Sequence, residues 1–476
     1  MTAEHAARLA AQLGDGVIGP APEAWLSEPR GRIRGHPGSF AARPRSPREV
    51  ARILAFCQSE RIPVVPRAGG TGLVGGQLAP ETIPAPLILS VERMTAVRSV
   101  DPVGRLMTVE AGAILAEVQR AAAEAGLLFP LSLAAEGSAR IGGNLATNAG
   151  GVQVLRYGTA RELCLGLEAV LPDGRLWNGL TRLRKDNTGY DLRDLLIGAE
   201  GTLGVITAAT LRLFPAPRER WTALVAVADP AAALRLLAAA DEAFDGRVTA
   251  CELIHRTGFD FIAETLPLGA PPLRPVPEWS VLIEAASARR DALAGPAEEL
   301  MDRALREGLI ADGVVAASEA QRAQLWRWRE SIPEANRRIG AIASHDISLP
   351  LAELPGFIAE APARLRAAAE LRINCFGHLG DGNLHYNLFP APGRRREDYA
   401  AEAEALSEIV NDLVCARGGS ISAEHGIGRL RRASWARRVD PVRRAAMAAI
   451  KRALDPAGIM NPGVFFDPGD PADPTA

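Results

Sequence analysis

The stretch Cys375–Phe389, CFGHLGDGNLHYNLF, places two of the chain's seven histidines, His378 and His385, on either side of Gly380-Asp381-Gly382-Asn383. On one continuous strand the two rings would face opposite sides, because strand side chains alternate. The Gly-Asp-Gly-Asn run is a turn sequence, so the expectation is two strand arms that fold back and bring the rings together. Asn387 then shares a face of the second arm with His385. Further along, ISAEHGIGR carries adjacent Glu424 and His425 among Gly418, Gly419, Gly426 and Gly428. Two imidazoles and a carboxylate suit Zn²⁺ or another first-row divalent ion and leave coordination positions open, as a catalytic site does. The competing reading, histidines satisfied in a core, stays open on these residues alone. Asp381 is expected to bond its own turn, and His255 and His345 are read as structural.

Three glycine-rich segments raise a second chemistry. RAGGTGLVGGQ (67–77) follows a strand pattern directly, and its glycines would expose consecutive N–H groups and let a ligand approach. It opens no long amphipathic helix, so a dinucleotide-binding Rossmann turn is a poor match. GSARIGGNLATNAGGVQVLRYGTARE (137–162) and NTGYDLRDLLIGAEGTLGVIT (187–207) add two more loops, with few of the Ser, Lys and Glu typical of flexible linkers. Three such loops in one region imply a large, extended, phosphate-containing ligand.

These residues need a scaffold. Residues 3–13 read as a short amphipathic helix, and 30–47 as a loop. Ser46-Pro47 supplies an N-cap and first-turn proline for the helix PREVARILAFCQSE, and IPVVPR follows as a strand. Short strands and helices alternate to about residue 215, and PAPRER (215–220) marks a boundary. Beyond it, WTALVAV, WSVLIEAA and INCFGHL read as strands. Helices are expected over 297–307, 319–339, 351–370 and 397–417, with Pro333, Pro355 and Pro362 kinking or splitting the middle two. Gly418-Gly419 ends the last. The expected organisation is a lead-in over 1–40, a cofactor domain over 41–217, a substrate domain with the metal site over 218–455, and a closing segment over 456–476. The Pro/Asp-rich tail from Asp467 is expected to be disordered.

At 476 residues the chain is long enough for two or three domains. A net charge of −2 gives no reason to expect nucleic acid or an anionic membrane as partner. Five dispersed cysteines without CxxC spacing read as reduced thiols, and the N-terminus has no signal-peptide pattern. No apolar run suggests a membrane span. The cytoplasm is the expected location, and a homodimer is compatible with the sequence.

The three glycine segments resemble those of the vanillyl-alcohol-oxidase (PCMH-type) FAD-binding domain, over nearly the whole chain. HLGDGNLHYN and AEHGIG resemble segments of the FAD-dependent D-2-hydroxyacid dehydrogenases, the group of D-2-hydroxyglutarate dehydrogenase, D-lactate dehydrogenase and the glycolate oxidase flavin subunit. The resemblance implies an α+β chain: the FAD-binding domain, a substrate (cap) domain with an antiparallel sheet, and a C-terminal segment returning to the flavin. It implies that Arg67, Gly69, Gly70, Thr71 and Gly72 meet the FAD pyrophosphate, and that Gly75, Gly137 and Ser138 also belong to the cofactor site. Gly142, Gly143, Asn144, Thr147, Asn148, Gly150 and Gly151 would line the flavin. Glu200, Gly201, Gly204, Val205 and Ile206 would enclose its adenosine and diphosphate side, with Asn461 near the isoalloxazine. The first loop has no histidine, so FAD is expected to be non-covalent. His378, His385 and Glu424 match the metal ligands, His425 the catalytic base, and Asn387 a substrate contact. Arg329, in WRWRESIPEA, matches a carboxylate-binding arginine; on its own it reads as a solvated helix arginine.

The chemistry implied is oxidation of a D-2-hydroxy acid to the 2-oxo acid. The hydroxyl proton would go to His425 and the hydride to the flavin, while the metal acidifies the hydroxyl. D-2-hydroxyglutarate leads, with D-lactate or a glycolate-type monocarboxylic acid the alternative. Pro333 and Ser344 stand where hydroxyglutarate dehydrogenases carry threonine and lysine, which bears on the distal carboxylate; His345 or Arg337 are candidate substitutes. The electron acceptor would be an electron-transfer flavoprotein or quinone rather than NAD. A metal-dependent hydrolase and a non-catalytic flavin-binding subunit are the readings from other classes.

Overall fold

The computed structural model describes residues 1–14 and 16–466, so the tail expected to be disordered lies outside the described residues. The chain forms two compact units. The first takes residues 1–150, 159–215 and the chain from Glu424 onward; the second takes Gly151–Gly158 and Ala216–Ala423. The first division falls within two residues of the expected boundary. The second comes at 424 rather than 456, so the AEHGIG loop belongs with the cofactor unit. Short hydrogen bonds hold it there: Arg429 N donates to Val74 O (2.9 Å), and Ile427 and Gly428 N donate to the Glu200 carboxylate.

The first unit contains a four-stranded sheet, in the order Ile18–Pro20, Phe40–Ala42, Leu87–Ser90, Val64–Arg67, whose last three strands are parallel. Val64, Val65 and Leu87–Leu89 are buried, as strands covered on both faces must be. The helix Pro47–Ser59 connects two of these strands, and the Ser46 side chain caps it by accepting from Glu49 N, as its sequence predicts. The C-terminal segment adds itself beside Val64–Arg67: Val64 N donates to Ile459 O and Asn461 N to Val64 O, both at 2.8 Å. A second, antiparallel five-stranded sheet packs Val205–Arg212 between Leu106–Glu110 and Cys164–Val170.

The second unit is one seven-stranded antiparallel sheet. Its strands are β1 (Glu219–Val227), β2 (Val248–His255), β3 (Trp279–Ser287), β4 (Ile310–Val315), β5 (Ala343–Ser348), β6 (Leu371–His378) and β7 (Asn383–Pro390). They lie in the order β4-β1-β3-β2-β6-β7-β5. Helices α1 (Pro230–Ala243), α2 (Arg256–Thr265), α3 (Ala294–Arg306), α4 (Glu319–Ile339), α5 (Leu354–Arg366) and α6 (Ala403–Ala416) cover it. The period-two pattern divides each strand. Val225, Cys251, Ile283, Tyr386 and Leu388 enter one core with α1, α3, α5 and α6; Leu224, Ile254, Leu282, Phe376 and Phe389 enter another with α2 and α4.

Two helix expectations need correction. Pro333 does not split α4, which runs unbroken from Glu319 to Ile339 with a buried Trp326, Trp328 and Ile332; tertiary packing outweighs one lost backbone bond. The helix expected over 397–417 begins only at Ala403, after a short 3₁₀ turn. Tyr399 holds that turn, its hydroxyl donating to Glu370 O and accepting from Ala391 N.

Candidate functional site

Within the first unit a cleft of about 980 Å³, counted to its mouth, is lined by the three glycine segments, Asn461 and His425. The first segment contributes Arg67, Gly69, Gly70, Thr71 and Gly72; the second Gly142, Gly143, Asn144 and Thr147; the third Glu200, Gly201, Gly204, Val205 and Ile206. The first loop wraps tightly. Gly70 sits at φ +71°, a conformation that favours glycine, and the Arg67 guanidinium packs directly over it, 2.1 Å from where a Cβ would stand. The Arg67 guanidinium lies 4.9 Å from the Trp25 ring.

Six residues expected at the cofactor do not line this cleft. The Gly75 carbonyl accepts from Arg429 Nη1 (3.0 Å). Gly137 and Ser138 lie behind Gly69, whose Cβ would meet Ser138 O at 2.4 Å. Asn148 turns its Oδ1 to Thr159 Oγ1 and Arg161 N (2.9 and 3.0 Å). Gly150 ends the first unit's stretch, and Gly151 begins the segment that joins the second unit. Conversely, Arg140, Gln77, Gly76 and Leu196 line the cleft and were not singled out from the sequence. Arg140 and Gln77 flank the glycine runs directly, a signal that was legible.

Two lining side chains test whether FAD fits. Among the described residues, Arg67 Nη1 and Asn144 Oδ1 are buried without a hydrogen-bond partner. A native buried polar atom is rarely left so. A diphosphate satisfies the first and a hydroxyl or ring N–H the second, so the donor set matches a nucleotide-linked flavin.

The His425 loop is held by a buried network. Glu200 Oε1 accepts from Ile427 N and Oε2 from Gly428 N, both at 2.8 Å. Asn461 Nδ2 donates to Glu200 O (2.7 Å) and Gly76 O (2.9 Å). Arg429 Nη2 donates to Asn461 Oδ1 (2.9 Å) and Pro462 O (2.7 Å). Burial pushes Glu200 up to about 7, against the pull of the two amides. Its carboxylate is an acceptor only and is already engaged.

In the second unit the turn between the histidines does what its sequence predicts. β6 ends at His378, Leu379–Asp381 form one 3₁₀ turn, and β7 begins at Asn383. The two imidazole centroids are 5.6 Å apart. Asp381 Oδ1 accepts from Asn383 N (3.1 Å), the turn bond expected of it. Asp346 pairs in register with His385, and Ala423 N donates to Asp346 O (3.0 Å). Ala423, the last residue of the second unit, is thereby tied to the strand beside the histidine hairpin.

Arg329 is not a solvated helix arginine. It is 5% exposed, and its Nε and Nη2 lie 2.7 and 2.6 Å from Glu252 Oε2, with the Phe376 ring 4.8 Å away. Glu252 Oε1 meets His378 Nδ1 at 2.6 Å. Burial would raise Glu252, but Arg329 and His378 outweigh it and hold the carboxyl at about 2. Sequence reasoning missed Glu252; the signal was one carboxylate inside the apolar strand ACELIH. Asn387 is buried on β7, in register with Ser344. His345 faces the other side of the sheet, with Nδ1 at 2.9 Å from Tyr386 O and Nε2 at 2.8 Å from Ser407 Oγ. Arg337 is paired with Glu334 (2.7 Å). His255 is structural, capping α2 through Thr257 N.

Residues 38–179 match the model of the FAD binding domain, and residues 216–465 that of the C-terminal domain of FAD-linked oxidases. The chain is 37% identical over 432 residues to a D-2-hydroxyglutarate dehydrogenase of Xanthomonas citri pv. viticola, covering 90% of this chain and 89% of that one. A mitochondrial D-2-hydroxyglutarate dehydrogenase of Bos taurus is 37% identical over 445 residues, covering 92% and 78%. A putative D-lactate dehydrogenase of Schizosaccharomyces pombe is 33% identical over 450 residues, covering 92% and 82%. Among solved structures, p-cresol methylhydroxylase with substrate bound superposes with a TM-score of 0.77 at 18% identity, over 98% of this chain and 96% of that one. At that identity the likeness establishes the PCMH-type fold alone.

Proposed function

Because the chain belongs to the family of FAD-linked oxidases that includes the D-2-hydroxyglutarate dehydrogenases, we propose that it oxidises D-2-hydroxyglutarate to the 2-oxo acid and passes the electrons to an acceptor other than NAD. It is an FAD-dependent oxidoreductase acting on CH–OH groups. The observation that carries the reading is that His425 lines the same cleft as the three glycine segments. A proton acceptor for the hydroxyl and a hydride acceptor for the carbon must meet at one CH–OH group.

FAD, held non-covalently by the cleft residues, supplies the hydride acceptor. His425 takes the hydroxyl proton, a contribution of roughly 10²–10⁴-fold. His378, His385 and Glu424 are the proposed ligands of a divalent ion, Zn²⁺ or a relative, which supplies a Lewis acid for the hydroxyl. The fit of His378 rests on Glu252: a carboxylate on Nδ1 orients the ring and makes Nε2 a better ligand. Arg329 meets the substrate carboxylate through its Nη1 edge, since Glu252 occupies the Nε–Nη2 edge. Asn387 contributes an amide beside it.

A second reading, a monocarboxylic acid such as D-lactate, is favoured by one observation. Uncharged Ser344, in register with Asn387, stands where the resemblance implies a cation for a distal carboxylate, while His345 meets Ser407 and Arg337 pairs with Glu334. Turnover of purified, metal-replete protein on a panel of D-2-hydroxy acids with a dye acceptor decides between them. The proposal expects the highest kcat/KM on D-2-hydroxyglutarate; preference for D-lactate establishes the second reading, and no turnover on any member overturns both.

A further inference from the structure

Glu200 stands out because it lines the cofactor cleft while its carboxylate is taken up by backbone amides. Both oxygens accept backbone N–H bonds, from Ile427 and Gly428, two and three residues after His425. The intervening Gly426 lies against it: at φ +82°, a Cβ there would sit 2.8 Å from Glu200 Oε1. Glu200 itself adopts φ +50°, a conformation unusual for a side-chain-bearing residue. Asn461 pins its carbonyl from the opposite side. A buried carboxylate desolvated this far is costly unless it is hydrogen-bonded. Here the two bonds fix three successive residues of a loop that glycines would otherwise leave mobile.

We infer that Glu200 is a positioning residue for His425: it holds the 426–428 backbone so that the imidazole stays in the cleft. This rests on the reading of His425 as the base. Glu200 touches no reacting atom, so its effect should pass entirely through His425. A misplacement of about 1 Å at a reacting group costs on the order of 10²-fold in rate, and that is the loss expected for Glu200→Ala.

The test uses the flavin-loaded protein in a double-mutant cycle of Glu200→Ala and His425→Ala, reading anaerobic flavin reduction by substrate, flavin content, and amide hydrogen exchange. The expected result has four parts. Glu200→Ala keeps its flavin and reduces roughly 10²-fold more slowly. Glu200→Gln, which retains one acceptor oxygen, falls between. The amides of Ile427 and Gly428 lose protection in Glu200→Ala while those of the Val205–Arg212 strand keep theirs. In the His425→Ala background the second substitution has no further effect. Equal losses in both backgrounds, or loss of flavin from Glu200→Ala, overturn the inference, because Glu200 then acts on the fold or the cofactor. Wild-type reduction by His425→Ala instead overturns the base reading, a separable outcome. If Glu200→Ala does not fold, Gly426→Ala displaces the same loop from the other side, and the same non-additivity with His425→Ala is required.

Discussion

His425 and Glu252 carry opposite kinds of prediction. His425→Ala removes the proposed base and leaves the three glycine segments of the cleft in place, so the variant should retain FAD and lose roughly 10²–10⁴-fold in turnover, read by flavin content and steady-state rate. Glu252 joins Arg329 and His378 in a fully buried set, so its loss leaves a buried cation unpaired. Glu252→Ala should destabilise the second unit by about 3–5 kcal/mol, measured by denaturant unfolding, and should also lower metal content through His378. The pH dependence follows from the carboxyl being held at about 2 against an ordinary value of 4.5. A depressed folded-state pKa contributes stability that is complete above 4.5 and is lost as pH falls through about 2. Wild type should therefore weaken over that window relative to Glu252→Gln. At this scale the sequence was half legible. The His378/His385 turn and the Glu424-His425 pair stood out by type and spacing. Glu252 and Glu284 did not, because a single acid within an apolar strand has no spacing to reveal its partner. Arg322 and Trp326 bond Glu284 as Arg329 bonds Glu252, two turns along one helix.

The elements explain why the glycine loops were readable and their contacts were not. Glycine is needed where φ is positive or backbones meet, and both leave a mark in the sequence. Which glycine faces the ligand depends on packing between segments distant in the chain. Gly142, Gly143, Gly201 and Gly204 line the cleft, whereas Gly75, Gly137, Gly150 and Gly151 do not. Gly428 is the sharpest case. At φ +51° its Cβ would fall 2.2 Å from Val74 O, so Gly428→Ala should cost at least about 1–3 kcal/mol. A thermal melt of the purified variant reads this loss, and an unchanged melting temperature would refute the placement of the loop. Metal removal belongs to the same scale: His378→Ala and Glu424→Ala should each lower bound metal by elemental analysis, and unchanged content would refute those ligand assignments.

At the scale of the molecule, the chain leaves the cofactor unit at residue 216 and returns at Glu424. The expected boundary at 456 missed this, because the returning residues are secured by Val74 and Glu200, which no local pattern announces. The closing motif was legible: Asn461 lines the cleft and its backbone extends the sheet beside Val64. Residues 1–215 expressed without 424–466 should therefore fail to retain flavin, a loss visible in the absorption spectrum. The central claim is tested most directly by mixing purified, metal-replete protein anaerobically with D-2-hydroxyglutarate and following the oxidised-flavin absorption band. The band should bleach, as a bound flavin accepting hydride from this substrate requires. A band that persists with this acid and with every other D-2-hydroxy acid, yet bleaches with dithionite, would contradict the proposed activity.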